Sequence, residues 1–272
     1  MAQVKSYEKL SIRDNFLFQK VMRTKHLCKY LIEKILHIHI RDITYPEEEK
    51  TIDMTPASKS IRLDVYVEDD KGKVYDIEMQ TTDSPEGALP KRTRYYQGMI
   101  DMNLIEKGQD YEDLNPCFII FICTFDPFGR ALPVYTFTNR CREDGEELGD
   151  ETTKLFLNST AYENTEDPDL AGLLRYIDEN IPTNTFTREL DKTVQHIKSQ
   201  EETRREYMTF AMELKQQRRE GVAEGKMEER KKNALRMLQE GLSPEMAARC
   251  TELSLQEVRD LVHISSADHS IS

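Results

Sequence analysis

The chain has 272 residues, 38 Lys and Arg against 50 Asp and Glu, no Trp, 38% hydrophobic residues and a formal net charge of −12. That length suits one ordinary domain plus an appendage, or two small domains. With no run of about 18 apolar residues, and no basic segment leading into an apolar stretch near the start, the sequence excludes a transmembrane helix and predicts no secretory signal. Cys28, Cys117, Cys123, Cys141 and Cys250 are odd in number, widely spaced and free of any C-x-x-C pair. They predict neither a zinc site nor a disulfide framework, and a reducing cytoplasm as the setting.

The charge is uneven. Residues 1–187 hold 23 basic and 34 acidic residues, whereas residues 188–260 hold 15 of each. The surplus argues against broad attraction to nucleic acid, because phosphate contacts need Lys and Arg. Any such contact must be made by a local basic patch.

In chain order, residues 14–36 read as helix in two pieces, with Phe16, Val21 and Met22 in the first, Leu27, Leu31 and Ile35 in the second, and Thr24 as an N-cap between them. Ile38 to Ile43 reads as a short strand and Glu47-Glu48-Glu49 as a turn. Ile61 to Val67 and Val74 to Gln80 alternate around Asp69-Asp70-Lys71-Gly72, the pattern of a β-hairpin with a Gly-containing turn. From Pro85 the pattern is helical, with Leu89, Tyr96, Met99 and Ile100 on one face and Gly108 as the C-cap. Pro116 to Cys123 is apolar on both parities, as a doubly covered central strand requires. A second hairpin, Pro133 to Thr138 against Lys154 to Asn158, and a helix at 168–180 follow. Together these make an α/β or α+β domain with a mixed sheet.

The composition shifts at Ile181 to Thr185, which sets the domain boundary at 185. Residues 186–240 are a charged helical tail interrupted at Gly221 and Gly225. Residues 241–264 then form a small helix-turn-helix-like unit, in which Ser243-Pro244 opens one helix and the capping box Ser254 to Glu257 the next. Residues 265–272 are expected to be disordered.

The chemistry concentrates on the first hairpin. Asp64, Tyr66 and Glu68 share one face of its first strand, and Asp76, Glu78 and Gln80 one face of the second. A three-residue loop with Gly72 left-handed places position 64 opposite position 78, with Cβ atoms about 4.5–5.5 Å apart. Like charges in that relation repel, more so when buried, and a divalent cation removes the conflict. Alternation is also the pattern of an amphipathic hairpin with a solvated polar face, and geometry alone leaves that reading open.

Asp64, followed fourteen positions later by Glu78-Met79-Gln80 and framed by a preceding helix and strand and a following helix and apolar strand, resembles the PD-(D/E)XK nuclease superfamily. The resemblance is closest to its branch of Rpn-type recombination-promoting nucleases and transposases, whose signature is E-x-Q, as in Glu78-Met79-Gln80. It extends to Asp14-Asn15-Phe16-Leu17-Phe18, Lys91-Arg92-Thr93-Arg94-Tyr95-Tyr96-Gln97, Gly108 to Tyr111 and Phe156-Leu157-Asn158. It implies a restriction-endonuclease-like core at 1–185, its mixed sheet flanked by helices, with the all-helical tail appended. It also implies Mg²⁺- or Mn²⁺-dependent hydrolysis of DNA phosphodiesters, with Asp64 and Glu78 as metal ligands helped by the Met79 carbonyl, and Gln80 orienting the attacking water. Two positions depart from the pattern: Gln80 stands where most of the superfamily has Lys, and Leu63 where it has Pro. A neutral amide orients by hydrogen bonds but cannot stabilise charge as an ammonium does, so the alternative is a catalytically weak nuclease fold that binds DNA or protein through its tail.

Around this centre, Arg92, Arg94 and Tyr95 are the expected DNA contacts, cations interleaved with an aromatic. Tyr96 is expected to pack in the core and Asp76 to be exposed. Asp14, matching an acidic position of the family, and Glu33, on the first long helix, are secondary candidates for the metal site, each also explicable as an ordinary helix residue. The C-terminal unit mixes Gln256 and Arg259 with Glu257 and Asp260, which favours packing or self-association over base reading.

Overall fold

The computed structural model describes residues 4–45, 51–52, 61–82, 88–105 and 108–268. Its strands are β1 (Ile43–Thr44), β2 (Thr51–Ile52), β3 (Ile61–Arg62), β4 (Val65–Asp69), β5 (Val74–Gln80), β6 (Cys117–Cys123), β7 (Val134–Phe137) and β8 (Thr152–Asn158). Its α-helices are α1 (Asn15–Met22), α2 (Lys25–Leu36), α3 (Ala88–Leu104), α4 (Pro168–Glu179), α5 (Thr185–Ser199), α6 (Glu201–Gln239), α7 (Pro244–Thr251) and α8 (Leu255–Asp268). Six strands form one sheet in the order β1-β4-β5-β6-β8-β7, and β2 pairs with β3 alone. The sheet is mixed: β5, β6 and β8 run parallel, while β4 and β7 are antiparallel to their neighbours. This is the mixed sheet flanked by helices that the sequence implies.

The parallel centre explains why β5 is buried throughout and β6 at every position but Phe118. Parallel strands need crossovers, and crossovers cover the faces. One face of the centre carries Val74, Cys117, Ile119, Phe121 and Phe156, packed with Leu89, Tyr96, Met99 and Ile100 of α3. The opposite face carries Tyr75, Ile77, Met79, Ile120, Ile122, Leu155 and Leu157, all buried. Helices α1, α2, α4 and α5 pack on one another as the second helical layer.

The first hairpin forms in the expected register. Val65 pairs with Ile77 and Val67 with Tyr75, the Asp69 amide donates to the Lys73 carbonyl at 2.9 Å, and Gly72 has φ +77. The strand expected from 61 to 67, however, breaks at Leu63-Asp64, because there side chains replace the backbone ladder. The strand expected at 38–43 shrinks to Ile43–Thr44. His37 ends α2 in the left-handed conformation, the Ile40 amide is taken by Glu33 at 2.8 Å, and the Arg41 and Asp42 amides donate to Asp70 Oδ1 at 3.2 and 3.3 Å. Those donors are consumed locally and cannot pair with a neighbouring strand.

Thr24 occupies the N-cap position of α2, without a side-chain cap bond. Helix α3 ends at Leu104 rather than running to Gly108, which nonetheless has φ +100. The turn at Glu47-Glu48-Glu49, the helix start at Pro85 and Lys107 lie outside the described residues.

The chain divides into two compact units, one of Lys5–Arg204 and a second from Arg205 onward. The first therefore includes α5, whose Phe186, Leu190 and Val194 recur at i, i+4, i+8 and are buried, and which packs against α1 and α4. Its N-terminus is closed by a capping box between Asn184 and Thr187. The helical interruption falls at Gln200, with extended backbone, and α6 runs unbroken through Gly221 and Gly225. Two glycines cost roughly 1 kcal/mol each in a helix, too little to stop one rich in Glu, Lys, Arg and Ala. In the second unit Ala234 of α6, Ala247 and Ala248 of α7, and Leu253 and Val258 close a small core. Ser243 caps α7, Ser254 and Glu257 exchange the capping-box bonds of α8, and α8 continues through Asp268.

The Gly72 turn sets the register of the hairpin, so its conformation can be tested directly. A Cβ there meets nothing closer than Asn115 Oδ1 at 3.6 Å, which leaves the left-handed backbone as the only cost. Gly72→Ala is expected to lower stability by about 1–2 kcal/mol, read as a lower urea midpoint with unchanged m-value.

Candidate active site

At the break in the first hairpin strand, two carboxylates exchange backbone partners. The Asp64 amide donates to Glu78 Oε1 at 2.8 Å, and the Met79 amide donates to Asp64 Oδ2 at 3.1 Å. The register continues so that 64 falls opposite 78, as the loop geometry predicts, and the side chains carry the pairing that the backbone gives up. Asp64 Oδ1 faces α1, where it accepts from Gln19 Nε2 at 3.0 Å and Asn15 Nδ2 at 3.3 Å.

Glu78 Oε2 accepts from Arg92 Nη2 at 2.7 Å. Arg92 reaches down from α3 and meets Glu78, Gln80, Tyr96 and Phe121. Its Nη1 donates to Gln80 Oε1 at 2.9 Å, its Nε donates to the Tyr96 hydroxyl at 2.9 Å, and its guanidinium lies 4.9 and 5.2 Å from the Tyr96 and Phe121 ring centres. The expected core role of Tyr96 is observed, and its hydroxyl has this second use. Gln80 Nε2 completes the group at 3.5 Å from Glu78 Oε2.

Asp76 overturns its sequence reading. Instead of being exposed it is completely buried, and neither carboxyl oxygen has a hydrogen-bond partner. It lies two positions before Glu78 on the face of β5 that α3 covers. The solvated-face reading of the hairpin fails with it: every residue of β5 is buried.

Burial dominates the electrostatics. It holds the Asp76 carboxyl well above the ordinary carboxylate range, and the charges of Glu78 and Asp64 push the same way. Burial, followed by the Asp64 charge, raises Glu78 to about 8, with Arg92 and the Asp64 amide opposing. Asp64 is also raised, by burial, against the Met79 amide and Gln19.

The other expected site residues lie apart from this cluster. Asp14 sits at the N-cap position of α1 but turns to the Ser11 amide at 2.9 Å and Lys5 at 2.6 Å. Glu33 accepts from the Ile40 amide and pairs with His39 at 3.0 Å, which makes it a fastener of the turn after α2. Arg94 and Tyr95 are exposed on α3, where with Lys91, Gly98, Met99 and Met102 they line a surface recess of about 350 Å³. Asn15 and Gln19 are site residues that the sequence reading missed. Their i, i+4 spacing on one helix face, beside Asp14-Asn15, was the available signal.

Among the described residues, no three His, Cys, Asp or Glu side chains form a metal cluster. The donor set nevertheless fits a hard divalent cation that takes one or two carboxylates and fills its shell with water and a substrate oxygen. Asp64, half-buried, and Glu78, buried, are adjacent carboxylates whose ionisation is opposed by desolvation and, for Glu78, by the Asp64 charge.

A family model described as a PD-(D/E)XK nuclease family transposase matches residues 15–240. No curated protein and no solved structure gives a significant match.

The raised Glu78 sets a pH dependence. Unfolded, it ionises near 4.5; folded, only at about 8. Between those values the folded state keeps a proton that the unfolded state has released, so stability falls as pH rises through this window and levels off above it. In chelator-containing buffer, thermal denaturation from pH 5 to 9 is expected to show this decline. Glu78→Gln is expected to flatten it, whatever that substitution does to the plateau.

Proposed function

Since the chain belongs to the PD-(D/E)XK nuclease family transposases, we propose that it is a Mg²⁺-dependent DNA endonuclease, acting in the cytoplasm on phosphodiester bonds of mobile or recombining DNA. The observation that carries the reading is the exchange at the strand break, where the Asp64 amide donates to Glu78 and the Met79 amide donates to Asp64, so that a half-buried and a buried carboxylate stand on adjoining strand positions. Nucleases of this superfamily generally use divalent metals, and Mg²⁺ or Mn²⁺ suits two carboxylates with open positions. Such a cation would polarise the scissile phosphate and acidify the attacking water.

The remaining roles belong to the chain. Asn15 and Gln19 fix the Asp64 carboxylate from α1, and the Asp64 amide and Arg92 fix Glu78, so both carboxylates are held by groups that need not reorganise. Gln80 presents a neutral amide beside them. In the reaction the water oxygen forms a bond to phosphorus as the bond to the leaving ester oxygen breaks. One proton leaves the water and one is taken up by the leaving oxygen, giving a phosphomonoester and an alcohol. With Asp76 protonated, two carboxylates, one guanidinium and a divalent cation sum to +1, which complements a phosphodiester.

Three further features support the setting. Among the described residues no cysteine forms a disulfide. Among the described residues no helix is long and apolar enough to cross a membrane. In α8, Gln256 donates to Asp260 at 2.8 Å and Arg259 faces Glu245 of α7 at 3.6 Å. The side chains that a base-reading helix would offer are thereby engaged with their neighbours, and the C-terminal unit serves packing or self-association. DNA is met instead by the exposed Lys91, Arg94 and Tyr95 of α3.

Supercoiled plasmid with Mg²⁺ or Mn²⁺ tests the site. Asp64→Ala and Glu78→Ala are each expected to slow nicking about 100-fold or more, and Glu78→Ala to abolish Mn²⁺ binding by calorimetry. Nicking that persists unchanged in both variants would sink the assignment.

A further inference from the structure

Position 80 carries an amide where most of the superfamily has a lysine, yet a cation reaches that amide from a different element. Resting on the reading of Asp64 and Glu78 as the hydrolytic site, we infer that Arg92 supplies the positive charge for the reaction, and that Gln80 is the positioning residue that holds its guanidinium there.

The two residues fit each other chemically. Gln80 Oε1 accepts from Arg92 Nη1 at 2.9 Å. An amide offers that acceptor and an ammonium does not. A lysine at position 80 would direct its charge at the guanidinium and repel it, so the presence of Arg92 explains the residue at 80. The guanidinium has five N–H donors, and three of its bonds are accounted for: Nε to Tyr96, Nη1 to Gln80 and Nη2 to Glu78. One further N–H on each terminal nitrogen is left for a ligand, and the side chain is 35% exposed, so the group is reachable. Two N–H groups on one rigid plane match the oxygens of a phosphate better than a single ammonium would. The Tyr96 and Phe121 rings fix that plane from below. A guanidinium stays protonated, so Arg92 contributes charge to the transition state and takes no proton from the water.

A half-buried cation has a different role open to it, that of serving only as the counter-ion that lets Glu78 ionise. The two roles separate by measurement. On a short duplex with Mn²⁺, Arg92→Met is expected to lower kcat about 100-fold while KM moves by less than about threefold. Its Mn²⁺ affinity by calorimetry should equal or exceed that of wild type, because the competitor for Glu78 Oε2 is gone. Gln80→Lys alone should lower both kcat and thermal stability by crowding two cations. The double variant Gln80→Lys/Arg92→Met, with one cation restored, should recover kcat to within about tenfold of wild type.

A folded Arg92→Met enzyme with near-normal kcat, one that changes KM alone, or one that no longer binds Mn²⁺ overturns the inference. So does a double variant no faster than Arg92→Met. If Arg92→Met fails to fold, the double variant keeps a cation beside Glu78 and decides the question by itself. None of these outcomes touches the wider reading, which fails separately if wild-type nicking survives Asp64→Ala and Glu78→Ala.

Discussion

Burying two carboxylates on the central strand of a sheet, against one guanidinium, is the constraint that shapes the first unit. Asp76 and Glu78 stand on the face of β5 that α3 covers, among Val74, Ile119 and Phe121. Apolar side chains there would cost nothing in desolvation, and replacing buried charges by packed apolar residues is often neutral or stabilising. The fold meets the cost in two ways. Burial pushes the Asp76 carboxyl toward its neutral form, and Glu78 receives Arg92 and the Asp64 amide. The second solution requires that α3 dock with Arg92 directed inward and that the preceding strand break at Leu63-Asp64, so helix placement and strand length both follow from one side chain.

Much of this is legible in the sequence where a local rule acts alone. The hairpin register follows from Gly72, because a three-residue loop needs a left-handed residue and only one position supplies it cheaply. The doubly apolar run from Cys117 to Cys123 is a buried central strand, as its composition demands. The α1 and α2 pair and the caps of α7 and α8 follow from periodicity and from Ser, Thr and Pro positions.

What escapes the sequence depends on partners far along the chain. Asp76 alternates like a surface residue, and it is the packing of α3 over its face of the sheet that buries it. The segment 38–42 has strand composition but gives its amides to Glu33 and Asp70. Phe186, Leu190 and Val194 are diluted by charged neighbours until α1 and α4 give them a face to cover. In the site, Asp64, Glu78 and Gln80 were legible as a group, since the hairpin alone brings them together. Arg92 was legible as a basic residue near an aromatic pair, but its direction was not: the three bonds it makes come from β5 and α3, and a sequence shows neither the distance between them nor the angle of the helix. Asn15 and Gln19 were hidden for the same reason.

Placing the cation on α3 rather than on β5 changes what the site depends on. A lysine on the strand would share the rigidity of the sheet. Arg92 instead depends on Tyr96, one turn along the same helix, and on Phe121, across from Glu78 in the parallel register. Any shift of α3 moves the guanidinium relative to both carboxylates and to Gln80 at once. The same helix carries Lys91, Arg94 and Tyr95 on its exposed side. In a chain with net charge −12, a phosphate backbone would find little other attraction, so under the proposed function one element would meet DNA on its outside and hold charge against the site on its inside. Contact with DNA on one side of α3, as proposed, would then be mechanically linked to the charge balance around Glu78 on the other through the packing of that single helix.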